Sequence, residues 1–172
     1  MRPFLLGSVC TLVVLVLGAL TYMRLGLAQV RGDSPPSRLE SSIMSMAVHA
    51  AVRRQAPELP NPISPSDDNL IAGGKIYLEE CSGCHGSPGK PQTDASSLNP
   101  AAPPLAEIGT EYSEAQIFWI AKHGIRRTGM FANGVWDPDQ KLWTVAAYIA
   151  RVKKLPARVT AEVAQAAAKQ GS

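Results

Sequence analysis

The chain has few cysteines and few aromatic residues. It contains three cysteines in 172 residues, and Cys10 lies in an apolar run far from Cys81 and Cys84. An odd number of cysteines, spaced in this way, does not indicate a disulfide scaffold. Aromatic residues make up only 6% of the chain, and no internal repeat is visible. A disulfide-stapled fold and a repeat array are therefore not expected.

The chain also lacks a strong excess of charge of either sign. Its formal net charge is +3, and between residues 69 and 155 Lys and Arg nearly balance Asp and Glu. A nucleic-acid-binding domain needs a concentrated basic surface. We therefore expect no nucleic acid among the partners.

One long apolar run is present, at the N-terminus. From Phe4 to Met23 there are twenty residues without a charge, which as a helix would span about 30 Å, the thickness of a bilayer core. The apolar region of a signal peptide is usually about 7 to 15 residues, so the length favours an uncleaved membrane anchor. The small-x-small sequence at 26–28 keeps a cleaved signal as the alternative. We assign residues 1–28 to this anchor or signal segment.

Residues 29–65 are expected to be a linker that contains one short helix. A Pro-rich or Gly-rich stretch lies on each side of this helix, and both stretches should be extended. Within the helix, apolar residues recur at steps of three and four up to Arg54. These residues are Leu39, Ile43, Met46, Ala47 and Ala50. We expect this apolar stripe to dock on the domain that follows.

The working domain is expected to occupy residues 66–156, with an Ala-rich tail at 157–172. Ser66 is a good candidate for a helix N-cap, and the helical pattern continues from Asn69 to Glu80. A second helix is expected from Ser113 to Lys122. The domain should therefore be helical.

The motif that carries the chemistry is Cys81-Ser82-Gly83-Cys84-His85. Its two thiols are one helical turn apart, so both sulfurs can add to the vinyl groups of one haem while the adjacent imidazole binds the iron. A thioredoxin-like motif would follow a strand, and a structural zinc site would need four ligands. The sequence therefore predicts one covalent haem c, attached at Cys81 and Cys84, with His85 as an axial iron ligand.

A second axial ligand is expected at Met130. Gly124 and Gly129 on the same segment permit a close backbone approach to a flat ring. His123, at the end of a predicted helix, and His49, on the linker helix, are the alternatives. A methionine ligand closes the iron and predicts an electron carrier. An open iron would instead predict peroxidase or gas-binding activity.

Further patterns surround the motif between residues 69 and 155. Gly73 and Tyr77 precede it in the form G-x-x-x-Y, and a closing helix is indicated at Leu142–Ile149. The segment from His123 to Met130 contains H-G-I and T-G-M. In these features the chain resembles the class I c-type cytochromes of the bacterial mono- and dihaem type, which include the cytochrome subunits of alcohol and sugar dehydrogenases and of cbb3 oxidases. In that family Pro usually follows the methionine, whereas here Phe131 follows it.

The resemblance implies an all-α domain around one covalent haem, preceded by a single transmembrane helix and a Pro-rich linker. It implies that the first and last helices cross at Gly73, with Tyr77 and Tyr148 at the crossing. It also implies that the carbonyl of Pro103 accepts the N–H of the His85 ring.

The function implied is electron transfer without catalysis, in a respiratory or dehydrogenase-linked chain or as a subunit of an oxidoreductase complex. Its partners would be the membrane and a redox protein donor and acceptor, such as a dehydrogenase, an oxidase or another cytochrome. The haem domain would lie in the periplasm or on the extracytoplasmic face. A soluble periplasmic protein is the alternative if the N-terminal segment is cleaved.

Overall fold

The computed structural model describes residues 2–90, 92–93 and 98–170, and within these ranges it contains helices and no β-strands. This confirms the expected all-α class. The α-helices are α1 Arg2–Arg24, α2 Arg38–Gln55, α3 Asp67–Glu80, α4 Ser82–His85, α5 Leu105–Ile108, α6 Glu114–His123, α7 Asp139–Ile149 and α8 Ala157–Lys169, with 3-10 turns at Asn133–Val135 and Val152–Lys154. The chain divides into two compact units, Met1–Gly32 and Asp33–Ser172.

The first unit contains α1. This helix has no buried residue, and it is the one described helix that is long and apolar enough to cross a membrane. A helix of this length and composition is compatible with a membrane anchor and also with a signal sequence near the N-terminus.

In the second unit, α3 crosses α7 with the two backbones in contact. Ser66 caps α3 as expected, since its side chain accepts a hydrogen bond from the backbone N–H of Asn69. A Cβ atom at Gly73 would lie 2.5 Å from the Thr144 carbonyl oxygen and 2.9 Å from Cβ of Tyr148. Only glycine allows this approach. The crossing at Gly73 is therefore confirmed.

Helix α6 packs on a different side of α7 from α3. Ser113 and Gln116 form a capping box at its N-terminus, which satisfies two backbone N–H groups. Further along, the Phe118 ring stacks on Trp143 with centroids 4.0 Å apart. This contact holds the middle of α6 against α7, and the Met130 segment continues from the C-terminal end of α6.

Over its described residues, 157–170, the Ala-rich segment is not a tail. Its helix α8 packs on α3 and buries Val159, Val163 and Ala167 in the same core as α3 and α7. These three residues repeat every four positions, so they lie on one side of the helix. The domain core therefore extends beyond residue 156.

Helix α2 forms where it was expected, but it docks through a different face. Val52 is only 1% exposed, whereas Leu39, Ile43 and Met46 are 70%, 53% and 67% exposed. The docked end is also held by a hydrogen bond between His49 and Tyr112. The prediction that the stripe of Leu39 docks on the domain is thus wrong, because Val52 on the opposite side makes that contact.

Candidate functional site

The C-x-x-C-H motif follows α3 without a break. The backbone N–H of Cys81 still donates to the Tyr77 carbonyl at the end of α3, and the N–H of His85 donates to the Cys81 carbonyl in α4, each at 2.9 Å. Cys81 and Cys84 are half-buried and unpaired with each other. The motif is therefore one helical turn that presents two free thiols and an imidazole.

The surroundings of Cys81 keep its thiol protonated. Burial raises the pKa of its thiol to about 12, and the nearby carboxylates of Glu80 and Asp137 add to the effect. In the described part of the chain there is no cluster of three or more His, Cys, Asp or Glu that could hold a metal ion.

The imidazole of His85 is oriented by the main chain. Its Nδ1 lies 2.8 Å from the carbonyl oxygen of Pro103. A carbonyl can only accept a hydrogen bond, so Nδ1 carries the proton and Nε2 keeps a free lone pair. Burial lowers the pKa of His85, although the bond to Pro103 opposes this shift. The ring is therefore a neutral imidazole whose free nitrogen can bind a metal.

The hydroxyl of Tyr77 also holds this turn. It donates to the carbonyl of Gly86 at 2.7 Å and approaches the carbonyl of His85 at 3.2 Å. The family resemblance places Tyr77 only at the helix crossing. The hydrogen bond could have been predicted from the presence of Tyr rather than Phe at this position, because the hydroxyl of a buried tyrosine usually has a hydrogen-bond partner.

Met130 lies at the end of a closed loop that follows α6. Gly124 caps α6 with a φ of +65°, and a Cβ atom there would lie 2.6 Å from the Met130 carbonyl oxygen. The backbone N–H of Ile125 donates to that carbonyl at 2.9 Å. The N–H of Met130 in turn donates to the Thr128 hydroxyl at 3.0 Å. These contacts hold Met130 in a defined, half-buried position.

The two alternative histidines have other contacts. His123 is the exposed last residue of α6, and its ring lies 5.1 Å from that of Trp119. His49 Nδ1 lies 2.7 Å from the Tyr112 hydroxyl. The structure thus brings Cys81, Cys84 and His85 together in one turn. Met130 lies on a separate loop, and its pairing with His85 remains a prediction.

The residues around the motif fit a covalently attached haem. Neither α4 nor α5 contains a buried residue, and Cys81, Cys84, His85 and Met130 are all half-buried. Two thiols can attach the vinyl groups of a c-type haem, and a neutral imidazole and a thioether can bind its iron. The side chains around the motif are thus less buried than those of the neighbouring core, which pack against one another.

A helix crossing at a glycine, a C-x-x-C-H turn at the end of the first helix and an imidazole held by a proline carbonyl define a class I c-type cytochrome domain. Residues 68–149 match the family model described as cytochrome c oxidase, cbb3-type, subunit III. These residues, just under half of the chain, are a c-type cytochrome domain that resembles cbb3 oxidase subunits. Its cofactor is covalently bound haem c with iron, and its function is electron transfer. Searches of curated proteins and of solved structures found no match.

Proposed function

We propose that this chain is a membrane-anchored monohaem cytochrome c. It would carry single electrons between a redox protein donor and acceptor in a respiratory or dehydrogenase-linked chain. Cys81 and Cys84 attach the haem, and His85 and Met130 are the axial ligands of its iron. The observation that carries this proposal is the 2.8 Å contact between His85 Nδ1 and the Pro103 carbonyl, because it leaves Nε2 free for iron.

The protein residues orient the ligands and exclude competing chemistry. Pro103 fixes the His85 ring and makes its free nitrogen more basic. Tyr77 holds the main chain that immediately follows the His85 Cα, through the carbonyls of His85 and Gly86. The bound haem supplies a one-electron couple at its iron. The thioether of Met130 would close the iron to small molecules, and it would favour Fe(II) more than a second imidazole does.

Helix α1 is the proposed anchor. Its apolar stretch is free of charge until Arg24, and its 23 residues are sufficient to cross a bilayer core. The haem domain is extracytoplasmic in the matched family, so the N-terminus would lie in the cytoplasm. Mass spectrometry of the mature chain tests this part of the proposal. An intact N-terminal segment in membrane-bound protein is expected, and a new N-terminus close to residue 29 in a salt wash would contradict it.

The ligand set can be tested on the full chain purified from membranes in mild detergent. The ferric protein should show the charge-transfer band of a methionine bound to iron. Met130→Ala should remove this band, while Met44→Ala, a matched change on α2, should keep it. A wild-type protein without the band that binds cyanide quickly and turns over peroxide would show an open iron and reject the carrier function. Proteins that co-purify with the chain would identify its donor or acceptor.

A further inference from the structure

An apolar stripe on α2 faces away from the domain. We name Leu39, Ile43, Met46 and Ala50 the outer stripe, and all four are exposed. At about 100° per residue they lie within about 60° of one another on the helix. Val48, which is half-buried, and Val52, which is buried, project from the opposite side. The described part of the domain therefore leaves the outer stripe uncovered.

The outer stripe is part of an amphipathic surface. Its three large side chains are 70%, 53% and 67% exposed, and they follow one another along a single line of the helix. Ser41 and Ser45 occupy the other side of the same turns. In the first turns of α2, aligned apolar residues therefore lie opposite two serines, and such a surface is typical of a helix that contacts another apolar phase.

The charges on α2 indicate which apolar phase the outer stripe contacts. The helix carries Arg38 at its beginning and Arg53 and Arg54 in its last turn, against a single acidic residue, Glu40. All three arginines are exposed. Basic residues around an apolar stripe are complementary to anionic phospholipid headgroups, and the apolar side chains reach the level of the acyl chains.

The segment that connects α1 to α2 is short enough to keep α2 near the membrane that α1 would cross. Thirteen residues, 25–37, separate the end of α1 from the start of α2. Fully extended, they span at most about 45 Å. Whatever membrane α1 crosses is thus available to α2 at a high effective concentration.

We infer that the outer stripe lies in the headgroup region of the membrane that α1 crosses and binds an anionic phospholipid surface. The inference rests on the proposed anchoring by α1. The contact would hold the haem domain against the membrane through the docked side of α2. It would restrict the positions from which the haem domain can exchange electrons with membrane partners.

Spin labels along α2 test this contact in the full chain with its haem. The protein is reconstituted into vesicles of phosphatidylethanolamine and phosphatidylglycerol in a Cys10→Ser background, with the haem reduced so that its iron is diamagnetic. One nitroxide at a time replaces Leu39, Ile43 or Met46, or else Ser41 or Ser45. Collisions with oxygen report lipid, and collisions with a hydrated nickel chelate report water.

The expected result is an accessibility pattern with the period of the helix. The ratio of oxygen to nickel collisions should be roughly tenfold higher at the outer stripe than at Ser41 and Ser45, because a hydrated chelate is excluded from the apolar phase. High nickel access at every position would overturn the inference. Low access of both reagents at the outer stripe, with dipolar broadening between labels, would mean contact with a second copy of the chain and would also overturn it.

A matched pair of variants and an extraction complete the test. With the label at Ala50, changing Leu39, Ile43 and Met46 together to Gln should expose the label to nickel, while changing Ser41 and Ser45 to Gln should not. Alkaline carbonate extraction of the same vesicles tests α1 separately. Retained protein with a water pattern on α2 would reject the stripe contact alone, and released protein with a lipid pattern would reject the anchor alone.

Discussion

The helix crossing and the Met130 loop are held together in different ways. At the crossing, Gly73 meets α7 backbone to backbone, and Tyr77 and Tyr148 are each 1% exposed. In the loop, Met130 is half-buried and is positioned by backbone hydrogen bonds from Ile125 and to Thr128. The comparison indicates that stability of the fold and chemistry at the iron depend on different residues. A side chain that blocks the close approach at Gly73 should destabilise the domain, and changes in the loop should alter the iron within an intact domain.

Gly73→Val is expected to have the largest effect on the fold. Its Cβ atom would collide with the Thr144 carbonyl and with Tyr148, and α3 and α7 would have to separate. We expect the free energy of unfolding to fall by about 3 kcal/mol or more. Denaturant unfolding of the detergent-purified chain, followed by helicity, measures this loss.

Ala72→Val is the matched control, because Ala72 is exposed on the same turn of α3. It introduces the same side chain at a position without the close approach. We expect a change within about 0.5 kcal/mol. Equal losses for the two variants would mean that valine is unfavourable in α3 itself, and would remove the special role of the crossing.

Met130→Ala should have a smaller effect on the fold and a large effect on the iron. A half-buried methionine removed from a loop should cost about 2 kcal/mol, at the lower end of the range for buried methionines. The iron should bind cyanide or carbon monoxide quickly. Met130→His should instead keep the iron low-spin and lower its reduction potential, because imidazole favours Fe(III) relative to a thioether. Unchanged spectra and potential in both variants would move the ligand to His123 or His49.

The features that were predicted correctly are those that sequence encodes locally. The N-cap at Ser66, the α3 and α6 helices and the C-x-x-C-H turn each depend on residues within a few positions of one another. The contact of His85 with Pro103 and the crossing at Gly73 join distant segments, and the resemblance to a known family supplied both. Residue spacing alone does not determine such contacts.

The features that were not predicted depend on how distant segments pack against one another. The periodicity of α2 indicates a helix, but two sides of it are apolar, and only the fit of Val52 against the domain decides which one docks. In α8 the buried residues are Val159, Val163 and Ala167. The alanines around them give the segment the composition of a tail. Gly74 on α3 leaves the space that Val163 fills, and no local pattern joins those two residues.

Tyr77→Phe tests the connection between the crossing and the haem ligand. It deletes the hydroxyl that donates to Gly86 and approaches the His85 carbonyl, while the ring at the crossing stays. We expect a loss of about 1 kcal/mol in the free energy of unfolding. The reduction potential should also shift, because the main chain that carries His85 is less restrained. A stability loss with an unchanged potential would limit Tyr77 to a structural role.

Tyr148→Phe is expected to have the smallest effect, and it is the matched partner of Tyr77→Phe. The two rings contact each other with centroids 5.5 Å apart, and both are almost fully buried. The Tyr148 hydroxyl, however, has no hydrogen-bond partner among the described residues. Burial raises its pKa to about 12, so the group is neutral at physiological pH and its removal changes no charge. Deleting a buried hydroxyl without a partner removes a desolvation cost, so the free energy of unfolding should stay the same or rise by up to about 1 kcal/mol. The same unfolding measurement applies to both variants. A loss as large as that of Tyr77→Phe would show that the Tyr148 hydroxyl is satisfied after all, by a buried water for example, and the crossing would then depend on polar contacts as the Met130 loop does.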